Sequence, residues 1–398
     1  MEEMEVNHVD DIHEKLTDMV GDRVKVKANM GRTRVVERMG TIKSVHPAVF
    51  IVEVDERRGR KSRQSYQYID VLTGQVELFD PESGEHIFYP ARQSARGALA
   101  VTDWSLTLSA PAKINLYLGV HTERDDRGYH RVDSLMAAVS LSDTVTVTPA
   151  QALTVQTVPA SDFPMQKNTA YRAAIAMAEH YGREANICVT IEKRIPLCAG
   201  LGGPSTDAAA VIVALAELWG IDRTDPVLDD IARGIGADVP FFLHASPAFY
   251  VGGGDVLATE YPALPATPVV LVKPREASVS TIEAYRRFDE APVPADEPGA
   301  IASALRAGDA ETAYALIHNN LGVISAQMEP QIQTVLDWLR KQDGTVAVDV
   351  CGSGACSFAI CGTAAMAERL ADAAQQNGWW SCATQFIPNT VRVEVPKK

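Results

Sequence analysis

Apolar and polar residues alternate one for one near the start of the chain: Val24, Val26 and Ala28 are separated by Lys25 and Lys27, and Val52 and Val54 flank Glu53. A period of two marks strands with one buried face. Asn29-Met30-Gly31 and Arg58-Gly59 supply turns, and a short helix is expected over Ile12 to Met19. Between Pro81 and Thr102 the periodicity disappears and Gly, Ser, Pro and Arg gather, which places a linker near Ala91 to Thr102. Beyond it the pattern predicts strands at Ser105 to Val120, Thr144 to Thr148 and Asn186 to Ile191, with helices at Asn168 to Tyr181 and Ser205 to Trp219. Gly220 closes the second of these helices. Val269 to Val272 reads as a buried strand opening a further lobe, with helices near Ala300 to Leu305, Glu311 to Asn319, Gln331 to Lys341 and Thr363 to Asn377.

Composition narrows the setting. With 398 residues the chain exceeds one average domain, and 46% hydrophobic residues suffice for proper cores. No segment approaches eighteen apolar residues without a charge or turn former, and Met1 to Glu5 is acidic where a signal peptide is basic, so a cytoplasmic protein is expected. The six cysteines include no Cys-x-x-Cys pair, which favours reduced structural thiols and no metal site. A net charge of -14 argues against bulk polyanion binding. The charge is uneven, however: Arg23, Lys25, Lys27, Arg32, Arg34, Arg38, Lys43, Arg57, Arg58, Arg60, Lys61 and Arg63 face only Glu37, Glu53, Asp55 and Glu56 in the same stretch.

The strongest chemical signal is Pro196-Leu197-Cys198-Ala199-Gly200-Leu201-Gly202-Gly203-Pro204-Ser205-Thr206-Asp207. Glycines permit close backbone approach, and amides at the start of the following helix, from about Ser205, would point at an anion. No Lys-Ser or Lys-Thr pair ends the loop as in a P-loop, and it does not follow the first strand as a dinucleotide fold requires. A turn that merely caps a helix is the plain alternative. Asp238, between Gly236-Ala237 and Val239-Pro240, suits a positioned base or a turn cap equally well. Lys113 sits in an apolar run where an unpaired ammonium is costly, so a carboxylate or phosphate partner is expected, and Asp238 is the candidate. Its alternative is a strand-edge lysine reaching water. Asn115 falls on the same strand face as Lys113. Tyr129 and His130 follow Gly128 in a polar loop, the usual presentation of a stacking aromatic and a hydrogen-bonding imidazole, although loop aromatics also simply pack on their own domain. Asn168 opens a helix, where it can serve as an N-cap.

In order along the chain, Ser109 to Val120, Arg127 to Arg131, the glycine loop, Gly236 to Pro240 and Val350-Cys351-Gly352-Ser353-Gly354-Ala355-Cys356 resemble the GHMP kinases. Within them, Pro111-Ala112-Lys113-Ile114-Asn115-Leu116, Gly128-Tyr129-His130 and Gly236-Ala237-Asp238-Val239-Pro240-Phe241-Phe242 are similar to the members that phosphorylate 4-diphosphocytidyl-2-C-methyl-D-erythritol. The resemblance implies a two-lobed α+β kinase using ATP and Mg²⁺. Lys113 and Asp238 would form its catalytic pair, and Pro196, Gly200, Leu201, Gly202, Gly203, Ser205 and Thr206 would hold the phosphates. Asn168 would lie near adenine, and Tyr129 and His130 would hold the cytidine of the acceptor, which Asn115, beside Lys113, could also bond. Pro204, where relatives usually have Gly, and Cys198, in the small-residue run before Gly200, depart from the family, which implies weaker nucleotide binding; Lys273 to Ser280 departs separately by lacking a usual Gly. Residues from about Asp10 to Phe79 resemble the Veg family of small bacterial proteins through Val26 to Arg32, Phe50 to Glu53 and Ser65 to Thr73. That likeness implies a mostly-β, SH3-like barrel. The chain then reads as residues 1–90, a Veg-like domain; 91–103, a linker; and 104–268 and 269–398, the two kinase lobes. The competing readings are another GHMP kinase, acting on homoserine or mevalonate, and a regulatory protein whose basic N-terminal module contacts nucleic acid or a protein.

Overall fold

A computed structural model describes residues 9–29, 35–46, 49–55, 60–72, 76–81, 83–84, 86–88, 104–160 and 163–394. The turns expected at Asn29-Met30-Gly31 and Arg58-Gly59 fall wholly or partly outside these residues, and the linker expected at 91–103 lies outside them entirely. The chain divides into two units, the first made of the residues up to Ser105 with the short segments Thr148–Gln151 and Leu218–Gly220, the second of the remainder from Leu106 on.

In the first unit, helix α1 (Val9–Asp18) precedes strands β1 (Arg23–Asn29), β2 (Val35–Val45), β3 (Val49–Asp55) and β4 (Lys61–Gln67), then a short helix α2 (Tyr68–Leu72) and β5 (Val76–Phe79). All pairings are antiparallel, in the order β4-β3-β2-β1-β5. The alternation explains both faces. Val24, Val26, Ile42, Phe50, Val52, Val54 and Leu78 are buried with Ile12 and Leu16 of α1 and Tyr68 of α2. The other face carries cross-strand ion pairs: Arg23–Asp55 at 2.6 Å, Lys25–Glu37 at 2.8 Å and Lys27–Glu77 at 2.5 Å, with Lys43 and Lys61 at 3.4 and 3.5 Å from Glu53. The expected barrel is thus corrected to an open antiparallel sheet. β4 and β5 occupy its opposite ends, and no pairing closes it among the described residues.

The second unit is organised by two long antiparallel strands, β6 (Leu106–Arg124) and β7 (His130–Pro149), whose register slips at three points. β8 (Thr154–Val158), helix α3 (Thr169–Tyr181), β9 (Ile187–Glu192), α4 (Gly203–Trp219), α5 (Pro226–Ile235), β10 (Ala248–Val251) and β11 (Val256–Glu260) complete the first layer. Its sheet runs β11-β10-β7-β6, with β9 paired to β7 and β8 to β9. Every residue from Ala208 to Ala216 of α4 is buried, as a helix apolar on all faces requires. Then come β12 (Pro268–Lys273), α6 (Thr281–Glu290), α7 (Gly299–Arg306), α8 (Ala310–Ala315), β13 (His318–Asn319), α9 (Asn320–Met328), α10 (Pro330–Arg340), β14 (Thr345–Val350), β15 (Ser357–Cys361), α11 (Ala364–Gln376), β16 (Trp380–Gln385) and β17 (Arg392–Val393). A four-stranded sheet in the order β14-β15-β12-β16 packs Val270, Val272, Ala359 and Cys361 against Val335 and Leu339 of α10 and Leu370 of α11. Chain order and layer order do not coincide, because β13 and β17 both return to β6. The helix expected to reach Asn319 stops at Ala315 for this reason: His318 and Asn319 pair with Tyr117 and Leu118. Among the described residues no helix is long and apolar enough to cross a membrane, and all six cysteines are free.

Candidate active site

The glycine loop is shaped by its neighbours as much as by any ligand. Gly200 and Gly202 have φ of 72° and 73°, and Cys198 shares this left-handed region at 52°. A Cβ on Gly200 would stand 1.8 Å from the Cys351 carbonyl oxygen, and one on Gly202 would meet the Phe242 ring at 2.9 Å and Lys113 Cγ at 3.1 Å. The loop is stitched in place on both sides. Lys113 N–H donates to the Leu201 carbonyl at 3.0 Å, and the amides of Ala355 and Cys356 donate to the carbonyls of Cys198 and Ala199 at 3.1 and 3.3 Å. Asn319 supports the facing loop at 351–356 by donating to the carbonyls of Val350 and Gly352 at 2.9 and 2.8 Å.

Helix α4 starts at Gly203 rather than Ser205, and the amides of Ser205 and Thr206 both donate to the Gly202 carbonyl at 3.0 and 2.9 Å. The helix end available to an anion is therefore displaced to Gly202 and Gly203. Pro204 falls in the first helical turn, where a missing N–H removes no intrahelical bond.

Beneath this end lies a cluster that sequence reasoning missed. Lys193 Nζ donates to Asp143 at 2.5 Å and to Asp207 at 2.6 Å, while Asp143 also accepts the amides of Arg194 and Ile195 at 2.5 and 2.8 Å. Burial, together with the Asp143 charge, pushes the Asp207 carboxyl up to about 7 despite Lys193. Burial works against the Lys193 ammonium, but the two carboxylates outweigh it and hold its pKa above the ordinary lysine value. Thr206 Oγ1 and Asp207 Oδ1 are buried without a hydrogen-bond partner. The one signal in the sequence was a lone carboxylate opening an alanine-rich run.

Lys113 and Asp238, 125 positions apart in the chain, come together at 3.4 Å between Nζ and Oδ2. Lys113 is only 3% exposed, and its Nζ donates to Asn115 Oδ1 at 2.8 Å; the Asn115 amide in turn donates to Ser134 Oγ at 2.9 Å. The Asp238 side chain is 36% exposed, so the pair has a sealed ammonium and an open carboxylate. Asp238 stands on the turn between α5 and a 3-10 helix at Pro240–Leu243. That segment is tied across its base by His244 and Asp229 at 2.9 Å.

The hydrogen bond that His244 donates to Asp229, opposed by burial and helped by the charges of Asp229 and Glu260, raises the His244 pKa. A raised histidine contributes stability that is complete below its unfolded value and is lost as pH rises through the folded value. The melting temperature is expected to decline from about pH 6 to about pH 8 more steeply in the native chain than in Asp229→Asn. Parallel slopes would contradict this tie.

The remaining candidates separate. His130 begins β7 and is buried, its Nδ1 donating to the His121 carbonyl at 2.7 Å and its ring packed 5.3 Å from Tyr285 and 5.7 Å from Phe288. Its Nε2 lies 3.2 Å from Asp289 Oδ1 but lacks hydrogen-bond geometry. Tyr129 is 62% exposed. Asn168 is the N-cap of α3 and accepts the Ala170 amide at 2.9 Å, while Thr169 Oγ1 donates to the Pro204 carbonyl at 2.5 Å and so joins this helix start to the glycine loop.

Comparisons with known proteins follow the same division. Models described as "GHMP kinases N terminal domain" and "GHMP kinases C terminal" match residues 168–246 and 301–378, and one described as "Biofilm formation stimulator VEG" matches residues 7–79. A homoserine kinase from Cytophaga hutchinsonii, 18% identical, shares the fold with a TM-score of 0.57, covering 76% of this chain and 100% of its own. Fold and family models together define a GHMP kinase preceded by a VEG domain.

A crystal structure of a 4-(cytidine 5'-diphospho)-2C-methyl-D-erythritol kinase aligns at 33% identity and a TM-score of 0.59, covering 70% of this chain and 98% of its own. The 4-diphosphocytidyl-2-C-methyl-D-erythritol kinases of Mycolicibacterium gilvum and Mycobacterium marinum are 36% and 37% identical, covering 69% and 73% of this chain and 88% and 91% of their own lengths. The chain belongs to the 4-diphosphocytidyl-2-C-methyl-D-erythritol kinase family.

Proposed function

We propose that this chain transfers the γ-phosphoryl group of ATP to the tertiary hydroxyl of the methylerythritol unit of 4-diphosphocytidyl-2-C-methyl-D-erythritol, giving the 2-phosphate on the non-mevalonate route to isoprenoids. The observation that carries the reading is the Lys113–Asp238 pair, a sealed ammonium against an open carboxylate beside the glycine loop. Phosphoryl transfer to an alcohol needs a group that accepts the hydroxyl proton and a cation for the charge that develops. Asp238 takes the proton. Lys113 orients the hydroxyl and compensates charge, held in place by Asn115 and Ser134. Asn115 thus acts mainly on Lys113, with spare amide capacity for the acceptor.

Gly200, Leu201, Gly202 and Gly203 line the phosphates, with Pro196 and the half-buried Ser205 side chain at the rim and Asn168 at the adenine end; Thr206, fully buried and with its amide bound to the Gly202 carbonyl, supports the loop from beneath instead of touching the phosphates. The Asp143–Lys193–Asp207 cluster fixes the loop's two ends beneath it. Tyr129 offers a face to cytosine, and His130 supports that wall from within.

Mg²⁺ fits this donor set as an ion carried by the phosphates. No cluster of three or more metal-ligating side chains exists among the described residues, but Mg²⁺ keeps several waters and would be held chiefly by the ATP phosphates, which leaves Asp238 free as the base. When bound, it neutralises phosphate charge.

The N-terminal module is proposed to be dispensable for catalysis, since every candidate residue lies after Thr102. Its cross-strand ion pairs also leave less free positive charge for nucleic acid than its composition implied. A fragment starting at about Ala100 should retain specific activity within about twofold across ionic strengths. A large loss in a folded fragment would assign the module a part in the enzyme. The cytoplasm, where ATP is available, is the proposed site of action. Incubation of the full chain with ATP, Mg²⁺ and separate candidate alcohols tests the reaction: ADP and phosphorylated product should appear with the cytidine-bearing acceptor and not with homoserine or mevalonate. Preference for either of the latter would overturn the reading.

A further inference from the structure

Arg127 has no role in the reading above, yet its surroundings are built with care. Its Nε donates to Asp125 Oδ2 at 2.8 Å, and its Nη1 and Nη2 donate to the two oxygens of Asp255 at 2.9 and 3.4 Å. Asp255 is buried in the turn between β10 and β11, where it also accepts the Gly253 amide at 3.0 Å. The Asp125 carboxylate accepts the amides of Arg127 and Tyr129 at 3.0 and 2.9 Å, and the Asp125 amide donates to the Tyr129 carbonyl at 2.8 Å. The turn bearing Tyr129 is therefore closed at its neck and moored to the neighbouring hairpin through one guanidinium.

Guanidinium donors lie in its plane, so two in-plane carboxylates leave the flat face free. The Arg127 Cζ lies over the Tyr129 ring, 5.2 Å from its centroid and within cation–π range. Tyr129 is thus held at its backbone and backed on one side while most of its surface stays open. A large aromatic fixed in the open presents its free face to another planar group.

The geometry points to Arg127 as a positioning residue that fixes the Tyr129 ring for stacking on the pyrimidine base of the acceptor, with Asp125 and Asp255 holding the guanidinium in plane. This rests on the proposal that Tyr129 receives the cytidine end. Because two carboxylates surround one guanidinium, the group acts through shape rather than as a free cation for the acceptor's diphosphate. Lysine cannot replace it: an ammonium keeps the charge but has neither the bidentate fork nor the flat face.

The test is steady-state kinetics on the full chain carrying Arg127→Ala, Arg127→Lys or Tyr129→Ala, with folding checked by thermal melting. Arg127→Ala is expected to raise KM for the cytidine-bearing acceptor about three- to tenfold, with kcat and KM for ATP changed less than about twofold. Arg127→Lys should resemble Arg127→Ala. Unchanged acceptor KM in Arg127→Ala, or full rescue by lysine, would overturn the inference while leaving the site intact if Tyr129→Ala still raises that KM. Unchanged acceptor KM in Tyr129→Ala would remove the cytidine-site reading itself, and the inference with it.

Discussion

Asp238→Asn is expected to lower kcat by about 10²- to 10⁴-fold, the usual worth of a positioned proton acceptor, while affinity for a non-hydrolysable ATP analogue stays within about threefold. Asparagine keeps the shape of the turn and a polar contact to Lys113, which is still held by Asn115 at 2.8 Å. What is lost is the basic oxygen 3.4 Å from the ammonium and the negative charge that compensates it. Some stability should go too, because a buried ammonium loses its anion. Parallel measurement of kcat and of analogue binding by titration calorimetry separates the effects. Turnover near that of the native chain would remove Asp238 from the chemistry.

Gly200→Ala is expected to be the most disruptive single-methyl change in the glycine loop. Its Cβ would stand 1.8 Å from the Cys351 carbonyl oxygen, which is backbone and cannot swing aside. One of two hydrogen-bonded loops must therefore move, on top of roughly 1 kcal/mol for alanine in the left-handed region. A loss of about 2–4 kcal/mol in stability and of at least about tenfold in ATP-analogue affinity follows. Gly378→Ala is the control, since Gly378 has a φ of 82° but open space around its Cβ position. It should lose only about 1 kcal/mol and keep nucleotide affinity. Equal effects in the two variants would mean that the loops yield freely.

The parts that were legible in the sequence are those with short-range causes. Period-two alternation marks β1 and β3, and the caps and apolar runs of α3, α10 and α11 bring their ends close to the observed ones. The burial of Lys113 was readable from its apolar flanks, whereas its pairing with Asp238 had to be inferred across 125 positions. His130 reads as a loop residue because only Thr144 to Thr148 of β7 alternates clearly; the strand begins at His130 and is carried by its register against β6. Helix α6 shows no clear period in the sequence because its charged residues leave few apolar positions, Ala284 and Phe288 being the buried ones. The Asp143–Lys193–Asp207 cluster joins three distant segments, and no local pattern announces it.

The central claim is that the acceptor's tertiary hydroxyl is placed at the Lys113–Asp238 pair. Phosphorus NMR of the product, formed from ATP and 4-diphosphocytidyl-2-C-methyl-D-erythritol, reads this directly. A phosphate on a tertiary carbon has no proton on that carbon to split its signal. One new monoester resonance without three-bond proton coupling is expected, alongside an unaltered diphosphate pair. A new resonance split by carbinol protons, marking transfer to a primary or secondary hydroxyl, would contradict it.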